Sequence, residues 1–135
     1  MRKLLSISYS QGAFNFGMLL ARLLSGILMM NHGYDKLVRF AELKDRFTDI
    51  LGLGSSFSLA MTIFAEFFCA LFVIIGLFTR ISVIPLIIVM AVALFKVHHA
   101  DILGEGETAA LFLGYYLILL IVGPGKISVD GVSGK

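Results

Sequence analysis

Four stretches of this chain are apolar over lengths that match the thickness of a bilayer: Ala13–Asn31, Phe57–Phe78, Ile81–Val97 and Ala109–Val122. A helix crossing the hydrocarbon core needs about 20 mainly apolar residues. Thr108 and Gly123 extend the fourth, shorter stretch to about residues 108–123. Strands of a membrane barrel would alternate polar and apolar side chains. The run Leu-Ile-Ile-Val-Met-Ala-Val-Ala-Leu-Phe at 86–95 is apolar on every side, so these segments read as helices.

Composition supports the bilayer as solvent. Of 135 residues, 59% are hydrophobic and 15% charged, against about 45–50% and 25% in soluble domains. The expectation is an all-α fold: one integral membrane domain over residues 1–135, a four-helix bundle that crosses the lipid bilayer. Arg2 and Lys3 precede the first apolar run, as in a secretory signal, but that run is long, contains Arg22, and ends in Met-Met-Asn-His-Gly rather than small residues. It reads as a retained span. A net charge of +2 without a basic, aromatic-interleaved cluster argues against nucleic-acid binding. Cys69, the single cysteine, excludes an intramolecular disulfide and a CxxC pair.

The connections differ. Thr79-Arg80 joins the second and third stretches tightly enough to demand an antiparallel hairpin. The connection from Gly33 to Ser56 carries Leu37, Phe40, Leu43, Phe47, Ile50 and Leu51 at helical spacing. Asp35/Arg39 and Glu42/Arg46 stand four apart with opposite charge. An amphipathic interfacial helix over about residues 36–51 is expected between the first and second spans, covering one end of the bundle. Orientation is balanced by the positive-inside rule. Arg2, Lys3, Arg80, Lys126 and Lys135 lie on the side of the termini, and Lys36, Arg39, Lys44, Arg46 and Lys96 on the other. Because the second set is largely charge-compensated within the surface helix, the termini are assigned to the cytoplasm.

Two charges fall inside spans, Arg22 and Glu66, about ten residues into spans one and two. Each alone costs about 2.5–3.5 kcal/mol at a helix centre. Antiparallel helices place them at similar depth, so a structural ion pair between Arg22 and Glu66 is expected. Arg22, Gly26, Met29, Gly33 and Lys36 form one stripe of span one, and Thr62, Glu66, Cys69 and Val73 one face of span two. The competing reading is a polar core for protons, a quinone headgroup or another ligand.

A second group gathers opposite the termini: His32 and Lys36 leave span one there, and Lys96, His98 and His99 leave span three. Adjacent histidines point about 100° apart on a helix and cannot share one ion without unwinding, so no metal site is assigned. The candidates for a ligand or quinone-headgroup pocket are Arg22, His32, Lys36, Glu66, Lys96 and His99, and the histidine end is expected to hold it. Tyr115 and Tyr116, halfway along span four, are expected to hydrogen-bond inside the bundle. Gly17/Ala21/Ser25 and Ala110/Gly114 permit close helix contacts, within the chain or in a homo-oligomer.

Arg22-x-x-x-Gly26, His32-Gly33-x-x-Lys36-Leu37, Glu66, Gly76-Leu77-Phe78-Thr79-Arg80 and Gly123-Pro124-Gly125-Lys126-x-Ser128-x-Asp130 occur in an order and separation that resembles the DoxX family of small bacterial and archaeal membrane proteins. The likeness covers roughly residues 17–130. It implies a four-helix bundle in the cytoplasmic (inner) membrane and points to Arg22, Gly33, Lys36, Glu66 and Arg80. Some members of the family, the DoxD-like subunits, belong to quinone-linked thiosulfate oxidation, and others associate with redox-defence proteins. The implied function is the membrane subunit of a quinone-linked redox system, an oxidoreductase acting with a soluble partner that holds the electron carrier. The chain has no GxGxxG and one cysteine, so no intrinsic cofactor is expected and quinone is the candidate ligand. The alternatives are a non-enzymatic scaffold or anchor, and a carrier or binding protein for a small amphiphile or metal.

Overall fold

A computed structural model describes residues 2–49 and 52–134, with side chains from Leu4 onward. Among the described residues every regular element is helical and none is a strand. Three helices are long and apolar enough to cross a membrane: α1 (Gln11–Val38), α2 (Ser55–Ile75) and α3 (Thr79–Val97). The fourth, α4 (Glu107–Val122), is apolar but has 16 residues.

Helix α1 starts where Ser10 Oγ accepts from Ala13 N at 3.0 Å, a side-chain N-cap. It runs well past the apolar stretch that marks it in the sequence. Hydropathy falls at Asn31-His32-Gly33, yet backbone hydrogen bonding continues to Val38. Lys36, Leu37 and Val38 therefore belong to this long helix and not to a separate surface helix. At Arg39 the backbone leaves helical geometry (φ −101°, ψ 18°), and a single helical turn, Phe40–Leu43, follows. The amphipathic element expected over 36–51 is thus two pieces, its first turn absorbed into α1; Ile50 and Leu51 lie outside the described residues. The connection is tied down by polar contacts: Ser55 Oγ donates to Lys44 O at 2.5 Å and Gly52 N to Asp49 Oδ1 at 2.8 Å.

Within α2 the residues Phe64–Cys69 are π-helical, flanked by α-helix on both sides. A second π-helical stretch, Ala93–Val97, ends α3. Such wider turns shift the phase of the side chains that follow and concentrate at functional sites. The hairpin between α2 and α3 turns one helical turn earlier than the sequence indicates. Gly76 ends α2 in the left-handed region (φ 73°), where glycine has no Cβ to clash. Asp130 starts α3: its Oδ1 accepts from Phe78 N and its Oδ2 from Thr79 N, both at 2.9 Å. The chain after α4 thus folds back to cap α3.

Helix α1 packs chiefly on α2, and α3 on α4 and α2. Leu59, Val73, Val83, Leu86, Tyr116 and Leu119 are buried where these helices meet. Tyr116 Oη donates to Ser25 O at 3.0 Å, joining α4 to α1, in accord with the expectation for a mid-helix tyrosine. Outward faces are apolar as well: Phe16, Ile81, Phe95, Leu111 and Ile121 are each at least 60% exposed. A belt of this kind around long apolar helices requires lipid. The chain is a small integral membrane protein.

Candidate functional site: a lysine–glutamate pair between two cavities

Glu66 lies in the π-helical stretch of α2 and is almost fully buried. Lys36, in the last turn of α1, donates from Nζ to Glu66 Oε1 at 2.7 Å, with 24% of the lysine side chain exposed and 4% of the glutamate's. The approach of the two helices depends on Gly33. A Cβ there would lie 2.7 Å from the carbonyl carbon of Glu66 and from the nitrogen of Phe67. Side chains on a helix lean toward its N-terminus. Lys36 therefore reaches back into the membrane and meets a carboxylate about one turn below its own level.

Two cavities meet at this pair. One, about 210 Å³, is lined by Lys36, Phe47, Thr62, Glu66, Val89 and His98 among others. The other, about 270 Å³, includes His32, Lys36, Glu66, His98, Glu105 and Phe112. His32 stands edge-on to Phe112, with ring centroids 6.0 Å apart. His98 Nδ1 lies 3.8 Å from Glu105 Oε2, at the exposed mouth. The site is thus a buried, ion-paired carboxylate, a partly exposed ammonium with two donors left over, a hydroxyl and two imidazoles, set among apolar walls. Apolar walls with a few convergent polar groups are the usual composition of a small-molecule pocket.

The expected Arg22–Glu66 ion pair does not form, and Glu66 pairs with Lys36 instead. Gly33 is the residue of α1 level with Glu66, eleven positions beyond Arg22, which separates the two charges by about 16 Å along the helix. The side chains also lean toward opposite ends, because α1 and α2 are antiparallel. Arg22 is fully buried near the termini. Its Nη1 donates to Ile74 O at 3.4 Å and its Nη2 to Ile127 O, so it ties the end of α2 to the segment after α4.

Lys96 and His99 are also placed elsewhere. Lys96 Nζ donates to Asp49 O at 2.8 Å and clasps the first connection from outside. His99 is exposed in left-handed backbone (φ 51°). The π-helical turn Ala93–Val97 resets the phase of α3, so His98 rather than His99 faces the cavities. His98, Thr62 and Glu105 line the cavities although the sequence pattern does not single them out. A signal was available for Thr62, which shares the helical face of Glu66. No signal announces a π-helical turn, and none distinguished His98. Among the described residues no three of His, Cys, Asp and Glu cluster to hold a metal ion.

Concavities occur at both ends of the bundle. One of about 620 Å³ lies on the side of the termini, lined by Gln11, Asn15, Thr79, Arg80, Lys126 and Asp130 among others.

Comparison with known proteins places these features in context. Residues 17–99, which include Arg22, Gly33, Lys36, Glu66 and His98, match the DoxX family. The chain is 28% identical over 125 residues to the inner membrane protein YqjF of Escherichia coli (strain K12), covering 88% of this chain and 93% of the relative. No solved structure matches.

Proposed function

The chain belongs to the DoxX family, and from that premise we propose that it is the membrane subunit of a quinone-linked redox system, with the Lys36–Glu66 site receiving the quinone headgroup. The observation that carries the reading is a buried carboxylate held by a lysine at 2.7 Å on the shared wall of two cavities. Ionisable groups inside a membrane are costly and mark ligand or proton sites by default.

The residues fit a quinone. Its carbonyl oxygens need hydrogen-bond donors, and its ring needs apolar walls. Lys36 Nζ has two N–H groups beyond the one given to Glu66. Phe47, Val89 and Val92 line the smaller cavity and exclude water from the headgroup. A bound quinone supplies two-electron, two-proton carrier chemistry. Glu66 holds a proton-accepting carboxylate at the site, and His98 and Glu105 stand where protons enter from the aqueous edge. The electron carrier belongs to a soluble partner protein.

In this reading the fold is a four-span bundle in the inner membrane with cytoplasmic termini. Helix α4, about 24 Å long at 16 residues, completes the crossing with its flanking residues while packed on α3. The inner-membrane assignment is supported by the description of the E. coli relative.

The test is to extract the lipids bound to purified protein and to titrate a short-chain quinone while following the melting temperature. Quinone should co-purify. The analogue should stabilise the wild type, with affinity reduced on the order of tenfold in Lys36→Leu and Glu66→Gln for loss of a charge-assisted hydrogen bond. A protein that carries no quinone and gains no stability from the analogue is a scaffold or anchor. A bound amphiphile of another class, or a bound metal, makes it a carrier.

A further inference from the structure

The sequence pattern singles out a second group of residues that the lysine–glutamate site does not use: Gly76 to Arg80 and Gly123 to Asp130. The fold brings both to one place. From Phe78 to Arg80, from Gly123 to Lys126 and at Asp130 they line the 620 Å³ concavity at the end bearing the termini, between the start of α3 and the end of α4. We propose that this concavity is a binding site for the phosphate headgroup of an anionic phospholipid, held by Arg80 and Lys126.

Three observations carry the proposal. The first is charge: Arg80 and Lys126 both line the concavity, and neither has a carboxylate within salt-bridge distance among the described residues. Arg80 Nη2 makes one long contact, 3.4 Å to Ile121 O, and Lys126 Nζ one at 3.2 Å to Gln11 Oε1. Both groups are neutral acceptors, so the cationic donors are only partly engaged. Second, the acidic residue on the wall is occupied, since both oxygens of Asp130 accept from the backbone at the start of α3.

The third observation chooses the ligand. Phe78 and Ile81 are exposed at the rim, 47% and 69% respectively, beside the lipid-facing surface of α3. A phosphate seated on Arg80 and Lys126 would therefore leave its acyl chains lying on apolar surface. Free phosphate gains nothing from that rim. The concavity is also shaped for the purpose by backbone: Gly123 (φ 91°) lets the chain pass close to Arg80, where a Cβ would lie 3.2 Å from Nη2.

The test compares phosphatidylglycerol, phosphatidylcholine and inorganic phosphate as additives to the detergent-solubilised full chain, read by melting temperature and by lipid adducts in native mass spectrometry. Phosphatidylglycerol should stabilise the protein and remain bound, and phosphatidylcholine should not. Arg80→Gln and Lys126→Gln should each weaken the effect about fivefold, and the double variant on the order of thirtyfold. Lys36→Leu, at the opposite end, should leave it unchanged, which separates this site from the quinone reading. Should the double variant fail to fold, the Lys126→Gln variant alone decides, since that side chain is exposed. Equal protection by phosphatidylcholine, or full protection of Lys126→Gln, overturns the proposal. Protection by inorganic phosphate equal to that by phosphatidylglycerol overturns the lipid assignment.

Discussion

Lys36 and Glu66, thirty residues apart, meet at 2.7 Å because Gly33 lets α1 lie directly on the π-helical turn that carries the glutamate. The pair joins the first connection, both cavities and the α1–α2 contact in one arrangement. Removing either partner leaves a charge in apolar surroundings, which costs about 3–5 kcal/mol for a buried pair and less where one partner is partly exposed. Lys36→Leu and Glu66→Leu should each lower stability in detergent by about 2–4 kcal/mol. The double variant should recover part of that loss, with a coupling of at least about 1 kcal/mol. Additive losses would show that the contact does not bear on stability.

Arg22 should behave independently of Glu66. It holds the carbonyls of Ile74 and Ile127, so Arg22→Leu leaves two part-buried acceptors without their cation, a loss of about 1–3 kcal/mol. The Arg22/Glu66 double-variant cycle should close to within about 0.5 kcal/mol. Protease cleavage after residue 122 should become faster in Arg22→Leu, because the terminal segment loses its anchor. A strong Arg22/Glu66 coupling would place the two groups together and contradict the observed register.

The two outcomes differ from what the sequence alone implied, and the reason is physical. Arg22, Gly33 and Lys36 on one stripe of α1, and Thr62 and Glu66 on one face of α2, were legible from helical periodicity. Register was not. Hydropathy ends the first span at Asn31, whereas the helix continues to Val38, and counting depth from the wrong end moved Arg22 to the level of Glu66. The histidines fail for another reason. Periodicity assumes 3.6 residues per turn, and the π-helical turn at Ala93–Val97 exchanges the roles of His98 and His99. Asp130 capping α3 needed a contact across 51 residues of sequence, which no local pattern encodes.

Gly33→Ala tests the register itself. The added methyl would meet the backbone of Glu66 and Phe67, and backbone cannot rotate away as a side chain can. The helices must separate, at a cost of about 1–3 kcal/mol for overpacking. The same change should weaken quinone-analogue binding, since it moves Lys36 relative to Glu66. Gly17→Ala, where no atom lies within 4 Å of the new methyl, is the control and should be neutral.

The first connection carries a pH signature. Arg39 hydrogen-bonds the carboxylate of Glu42 at 3.1 and 3.2 Å and holds its pKa below the ordinary range. A group depressed in the folded state contributes above its unfolded pKa, and that contribution is lost as the pH falls through the folded value. The turn Phe40–Leu43 should stay intact at neutral pH and loosen only below the usual carboxylate range. An NMR titration of the Glu42 carboxyl should give a midpoint under about 4.3, the unperturbed value, moving up toward it in Arg39→Gln while Arg46 still holds it partly down. A midpoint at the ordinary value in the wild type would mean that the clasp does not persist.

The most direct test of the lysine–glutamate site is photolabelling with an azido-substituted short-chain quinone, followed by peptide mapping. Label should fall on the segments holding Thr62, Glu66, Val89 and His98, should be displaced by unmodified quinone, and should drop in Lys36→Leu. Displaceable label confined to the segments around Arg80 and Lys126, or labelling that excess quinone never displaces, would contradict a quinone headgroup site between α1, α2 and α3.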